Sequence, residues 1–252
     1  MNRALIIYHA DCVDGFTAAW AAWRTLGDGA AYWPAQHGQP APPVEGRDVV
    51  MVDFAYPRST LLAMAARARS LIVLDHHKTA LEQLSDLPFV HLDMQQSGAG
   101  LAWRHFHPER PLPRLVLAVE DGDLWRHRLP STREIYLRLS FEPRTFANWD
   151  RVAAQLDTDL GLAQFVGEGR VLEEEREFQV ERLILRRQEV VLEGEVGLAG
   201  EAPPRYLDPY FRRLRPLYRA LLKDGRATLA AANAKRAREY ARWLALPPSA
   251  GG

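Results

Sequence analysis

Leu71-Ile72-Val73-Leu74-Asp75-His76-His77 is the stretch that decides how this chain is read. Four consecutive apolar residues bounded by polar ones are too short for a helix and suit a strand buried on both faces. The run then ends in one carboxylate and two imidazoles. The same pattern occurs twice more. Leu5-Ile6-Ile7-Tyr8 leads into His9, Asp11 and Asp14, and Val49-Val50-Met51-Val52 leads into Asp53. In an open parallel sheet the C-terminal ends of neighbouring strands lie side by side, and ligands bind in the crevice beyond them. Carboxylates gathered there repel one another, and cations relieve that repulsion.

Around these three runs the chain alternates strands with helices. Strands are expected at 3–9, 48–53, 70–75 and 89–92, with a short one opening at Tyr32-Trp33. Helices are expected at 16–26, 59–69 and 78–84, and from an N-cap at Ser97 to His105. The Pro- and Gly-rich stretch 36–47 reads as a loop. This alternation predicts an α/β fold with a mainly parallel sheet flanked by helices. Beyond Pro113 the pattern is mostly helical. The expected organisation is a catalytic domain over 1–157, a long linker helix over 158–190 and a small C-terminal α/β module over 191–252. That module carries a hairpin signal at Lys223-Asp224-Gly225-Arg226.

Bulk properties exclude several classes. The formal net charge is zero, so no global basic field points to long nucleic acid. Apolar runs all fall short of the ~20 residues of a membrane span. Cys12 is the single cysteine, which rules out an intrachain disulfide. The N-terminus runs directly into a strand without a signal-peptide pattern. A reduced, cytoplasmic setting is therefore expected.

The strand-end residues suggest particular chemistry. Imidazole and carboxylate together suit Mn²⁺, Zn²⁺ or Fe²⁺ better than Ca²⁺. In Asp75-His76-His77, adjacent side chains cannot share one direction, so one histidine can bind metal while the next faces substrate. Asp75 can then orient an imidazole through its ring N–H. Asp121-Gly122-Asp123 is a fourth contribution. Cys12 sits among carboxylates, which raise a thiol pKa, and is a poor nucleophile. Taken together, His9, Asp11, Asp14, Asp53, His76 and Asp121 could hold two divalent ions with a bridging hydroxide as nucleophile, a centre suited to phosphoester or phosphoanhydride hydrolysis.

These motifs resemble the DHH phosphoesterase superfamily. The resemblance rests on His9-Ala10-Asp11-Cys12-Val13-Asp14-Gly15, strand-end Asp53, Asp75-His76-His77, Asp121-Gly122-Asp123 and Ser97-Gly98-Ala99-Gly100, and it covers about residues 3–150. It implies a hydrolase with two divalent ions, Mn²⁺ first and Mg²⁺ or Co²⁺ as alternatives. His9 and Asp11 would bind one ion, Asp14 and His76 the other, with Asp53 bridging. Asp121 would be the fourth-motif carboxylate, with Asp123 as the fallback. His77 would meet the substrate phosphate, and Asp75 would orient it.

The first motif places two residues between Asp11 and Asp14 where many members have one, which leaves open which carboxylate reaches which ion. The tail also lacks the Gly-Gly-Gly-His-type loop that grips substrate in nucleotide-cleaving members. Arg213 and Arg236 are candidates to replace that grip, since arginine suits bidentate phosphate contacts.

The expected function is hydrolysis of phosphodiester or phosphomonoester bonds in short oligonucleotides or small nucleotides. The alternatives are an exopolyphosphatase or inorganic pyrophosphatase on the same site, and a nucleotide-binding protein without turnover. A homodimer is compatible with the expected linker helix.

Overall fold

The computed structural model describes residues 3–173. Five strands form one all-parallel sheet in the order β2-β1-β3-β4-β5: β1 Ala4–His9, β2 Ala30–Ala35, β3 Asp48–Val52, β4 Ser70–Asp75 and β5 Val90–Leu92. The helices are α1 Val13–Leu26, α2 Arg58–Ala65, α3 Lys78–Leu84, α4 Gly98–Phe106, α5 Arg114–Asp123, α6 Thr132–Ser140 and α7 Phe146–Leu156, followed by a helical stretch over 159–173. The fold class is the α/β one expected. Among the described residues, no helix is long and apolar enough to cross a membrane.

Strand alternation divides the core in two. Ile6, Val52 and Leu74 face α1, α4, α5 and α7, while Leu5, Ile7, Val49, Met51, Leu71 and Val73 face the opposite side with Leu61, Met64 and Leu84. Both faces are thus covered, which is why these strands read as unbroken apolar runs. The strand expected to open at Tyr32 begins at Ala30 and pairs with β1 along its whole length. It carries Pro34, which is tolerable because β2 is an edge and its missing N–H costs no central ladder bond.

Helix α1 is buried over most of its length. Ala18, Ala19, Ala21 and Ala22 are all fully inaccessible, and their small side chains let other helices pack closely around α1. Trp149 of α7 pins it from one side: the indole is fully buried and donates to Thr17 Oγ1 (3.0 Å), which in turn donates to the Val13 carbonyl (2.7 Å).

The chain divides into two compact units, Met1–Arg170 and Val171–Gly252. The expected domain end at 157 lies short of this boundary. The first turns of the expected linker helix belong to the first unit, because Phe165 is buried in its core with Leu162 and Val166 packed alongside. The remainder of the expected linker helix, the hairpin, the C-terminal module, Arg213 and Arg236 lie outside the described residues.

The order of strands creates a switch point between β1 and β3: the chain moves outward to β2 after β1, then returns to the other side. Crevices of this kind open beyond the C-terminal strand ends, and there β1, β3 and β4 deliver His9, Asp53 and Asp75-His76-His77.

Trp149→Ala is expected to destabilise the fold by about 3–5 kcal/mol, the usual cost of emptying a fully buried aromatic site. Urea unfolding would measure it, and a loss below about 1 kcal/mol would show that α7 does not anchor α1.

Candidate metal centre

Asp53 is the centre of the site. It follows β3 with its backbone N–H still bonded to the Leu74 carbonyl (2.9 Å), yet its φ is +55°, in the left-handed region that a non-glycine residue enters at a cost. The side chain is only 1% exposed. Its Oδ1 meets His76 Nε2 at 3.1 Å. Its Oδ2 is buried and has no hydrogen-bond partner among the described residues; His9 Nδ1 stands 3.6 Å away, beyond hydrogen-bond range. Burial alone would raise this carboxyl's pKa, but the His76 bond and the nearby His9 and His77 imidazoles outweigh it and hold the pKa at about 2.

His76 shows how crowded the cluster is. One ring nitrogen, Nε2, faces three carboxylates: Asp53 Oδ1 at 3.1 Å, Asp123 Oδ2 at 3.5 Å and Asp14 Oδ2 at 3.7 Å. A single N–H cannot satisfy three acceptors. Two of the three acids, Asp14 and Asp123, resist ionising. Asp14 is fully buried, and its pKa is pushed well above the ordinary range by that burial and by the charges of Asp123 and Asp53, despite amide bonds from Gly98 (2.6 Å) and Ala99 (3.0 Å). Burial, then the Asp53 charge, raises Asp123 to about 6. Donor atoms of Asp14, His76 and Asp123 lie within 4.8 Å of one another, as do those of His9, Cys12 and Asp53, and those of Asp53, Asp75, His76 and His77. These groups can hold a metal ion, and the unpartnered Asp53 oxygen and overcrowded His76 nitrogen fit one.

Asp75 is hydrogen-bonded to both histidines that follow it. Buried at 2% exposure, it accepts from the His76 amide (2.8 Å) and from His77 Nδ1 (2.7 Å). That bond, more than the burial opposing it, raises His77 to about 9. With Nδ1 engaged, Nε2 of the exposed His77 ring is the nitrogen left for a ligand.

Two expected ligands sit elsewhere. Asp121 turns away from the crevice: its oxygens accept from the Arg128 amide (3.0 Å), the Leu129 amide (3.1 Å) and Thr132 Oγ1 (2.6 Å), tying the loop after α5 to that helix. Asp123, two residues on around the helix, faces His76 instead and accepts a long bond from Tyr136 (3.4 Å). Asp11 is exposed, with φ +55°, and accepts from Gln36 Nε2 (2.9 Å) rather than facing Asp53. Of the first motif it is His9, Cys12 and Asp14 that reach the cluster.

Close backbone packing shapes the centre. A Cβ on Gly98 would meet Asp53 Cβ at 2.3 Å, and one on Gly15 would meet the His9 carbonyl at 2.4 Å. Ser97 caps α4 by accepting from the Gly100 amide (3.2 Å), and Glu120 accepts from the Ser97 amide (3.2 Å) while paired with Arg104 (3.1 Å). The helix start that binds Asp14 is therefore itself held in place.

The comparisons bear on the fold alone. No protein-family model matches this chain. It is similar to an uncharacterized protein of Acanthamoeba polyphaga mimivirus, 28% identical over 164 residues, covering 58% of this chain and 39% of that protein. The chain thus spans well under half the length of that curated relative. The crystal structure of an uncharacterized protein from Helicobacter pylori shares the fold, with a TM-score of 0.52 at 12% identity over 68% of this chain and 62% of that one.

Sequence reasoning missed His37. It lies in the loop after β2, exposed, with its ring 4.8 Å from Phe54 and 5.7 Å from His9. The one available signal was its place just beyond the C-terminal end of a strand, near His9 and Phe54.

The two acids of α5 are expected to respond differently. Asp121→Asn should lower stability by about 1–3 kcal/mol at pH 7, the range for lost bonds to a buried charge. Burial opposes ionisation of Asp121, but its hydroxyl and amide donors hold its folded-state pKa below the ordinary value. Its contribution is therefore complete above about pH 4 and is lost as pH falls through the lowered value, so the gap between wild type and variant narrows in acid. Asp123→Asn should instead weaken Mn²⁺ binding at least tenfold. Denaturation across pH and calorimetric titration measure the two, and reversed outcomes would exchange the roles.

Proposed function

We propose that this chain is a divalent-metal-dependent phosphoesterase of the DHH type, acting on short oligonucleotides or small nucleotides. The observation that carries the reading is Asp53: a buried carboxylate with one oxygen on His76 and the other without a hydrogen bond among the described residues, 3.6 Å from His9 Nδ1, at the meeting of two donor groups. His9 and Asp53 would belong to one ion and Asp14, His76 and Asp123 to a second, with Asp53 shared. Bound there, Mn²⁺, Mg²⁺ or Co²⁺ would supply positive charge against the phosphate and a water of lowered pKa. The reading includes a reducing, cytoplasmic setting, in keeping with a single cysteine.

The chain's own groups do the rest. Asp75 fixes the His77 ring through its Nδ1–H and favours the imidazolium form, so Nε2–H can donate to a phosphate oxygen or protonate a departing alkoxide. Asp53, held at low pKa, stays anionic under the conditions in which Asp14 and Asp123 still bind protons. At the rim, the exposed Arg144 donates to the Asp11 carbonyl (3.4 Å) and would offer a cation to an anionic substrate. The exposed His37 ring, resting on Phe54, gives a nucleobase a face to stack on. That platform favours nucleotides over inorganic polyphosphate, which has no ring to place there.

Assays with Mn²⁺ on a short oligoribonucleotide, adenosine 3′,5′-bisphosphate and polyphosphate, run side by side, test the reading. Hydrolysis of a nucleotide substrate is expected, reduced at least a hundredfold in His76→Ala. Polyphosphate cleavage alone would select the polyphosphatase or pyrophosphatase alternative. No hydrolysis with Mn²⁺, Mg²⁺ or Co²⁺ would leave a nucleotide-binding protein.

His37→Ala should raise KM for nucleotides about fivefold or more with little change in kcat, since stacking is worth about 1–3 kcal/mol per base. Unchanged KM in steady-state kinetics would remove His37 from the binding surface.

A further inference from the structure

We propose that Cys12 supplies a thiolate ligand to the metal position it forms with His9 and Asp53, making this a mixed nitrogen, oxygen and sulfur site. The inference rests on the metal-dependent reading above and specifies one of its two positions.

Three donor atoms, one each from His9, Cys12 and Asp53, lie within 4.8 Å of one another. The buried Asp53 Oδ2 points to a ligand: its side chain is 2% exposed, it has no hydrogen bond among the described residues, and its ion-pair contact with His9 Nδ1 is long, at 3.6 Å. The residue expected to complete this position, Asp11, does not. Its backbone turns through φ +55°, and its carboxylate goes outward to Gln36. The next residue, Cys12, has extended geometry at the N-cap of α1, and its half-buried sulfur is the donor that reaches the cluster. Within His9-Ala10-Asp11-Cys12-Val13-Asp14 it is thus the sulfur, and not the Asp11 carboxylate, that joins His9 and Asp53.

On loading, the S–H bond breaks as the sulfur–metal bond forms, and the proton goes to solvent with no redox change. Soft thiolate donors favour Zn²⁺, Co²⁺ or Fe²⁺ over Mg²⁺. The position should therefore discriminate against Mg²⁺ more strongly than an all-oxygen-and-imidazole site.

Titration of the full chain with Co²⁺ tests this, read by absorption rather than turnover. Wild type is expected to show the visible d–d bands of bound Co²⁺ together with a near-ultraviolet sulfur-to-cobalt charge-transfer band. Because the chain has one cysteine, that band has a single source. Cys12→Ser should lose it, and Cys12→Asp should lose it while retaining d–d bands and narrowing the preference for Zn²⁺ over Mg²⁺ at least tenfold. Bound Co²⁺ in wild type without the charge-transfer band would overturn the proposal, even if both variants failed to fold. An unaltered metal preference in folded Cys12→Asp would overturn it as well. A charge-transfer band in a protein that hydrolyses no phosphate compound would uphold the ligand and dismiss the phosphoesterase reading. No Co²⁺ bands at all would dismiss both.

Discussion

A carboxylate shut away from water at the end of a central strand is the constraint on which the site depends. Asp53 sits at 1% exposure in a left-handed backbone conformation. A buried charge with one oxygen unpartnered is costly, and so is its backbone conformation. Both are sustained because the surroundings leave Asp53 no alternative. Its amide is tied to Leu74, Gly98 packs against its Cβ, and His76 takes its other oxygen. Strain of this kind, held by a rigid sheet, is what pre-organises a site for a ligand that it cannot provide from its own atoms.

The rest of the architecture serves that convergence. The switch of chain direction between β1 and β3 sets His9 beside Asp53, and the parallel neighbour β4 adds His76. Helix α4 supplies none of the side chains of the three donor groups, yet its first amides fix Asp14, and its start is held in turn by Ser97 and by the Glu120–Arg104 pair. Helix α5 separates two neighbouring acids by function. Asp121 fastens the following loop, and Asp123 faces the histidine. The glycines at 15 and 98 are required by contact: a methyl group at either would occupy space already filled by His9 or Asp53.

Much of this was legible in the chain alone. Fully apolar strands followed by His and Asp announce a covered parallel sheet with its chemistry at one end, because burial on both faces removes polar alternation. Asp14, Asp53, His76 and the orienting role of Asp75 follow from that reading. The choice between Asp121 and Asp123 did not follow: both lie at the end of one helix, and which of them faces the crevice depends on where the helix docks. Asp11 was read as a ligand from its spacing to His9, on the assumption that the strand persists. The strand ends at His9, and the turn at Asp11 reverses which side chain faces inward. His37 carried no pattern, since its neighbours form an irregular loop and its packing on Phe54 is a contact across the sheet.

What the sequence determined by itself is the class of fold and the residue types gathered at the strand ends, because hydrophobic period and residue type are local properties of the chain. Only the tertiary structure decided which donors share a space. That choice depends on helix docking, on a left-handed turn, and on how close two backbones can approach, all of which arise from contacts between residues far apart in sequence. The sheet sets where the strands end; the packing around it decides that Cys12 and Asp123 face inward while Asp11 and Asp121 face away.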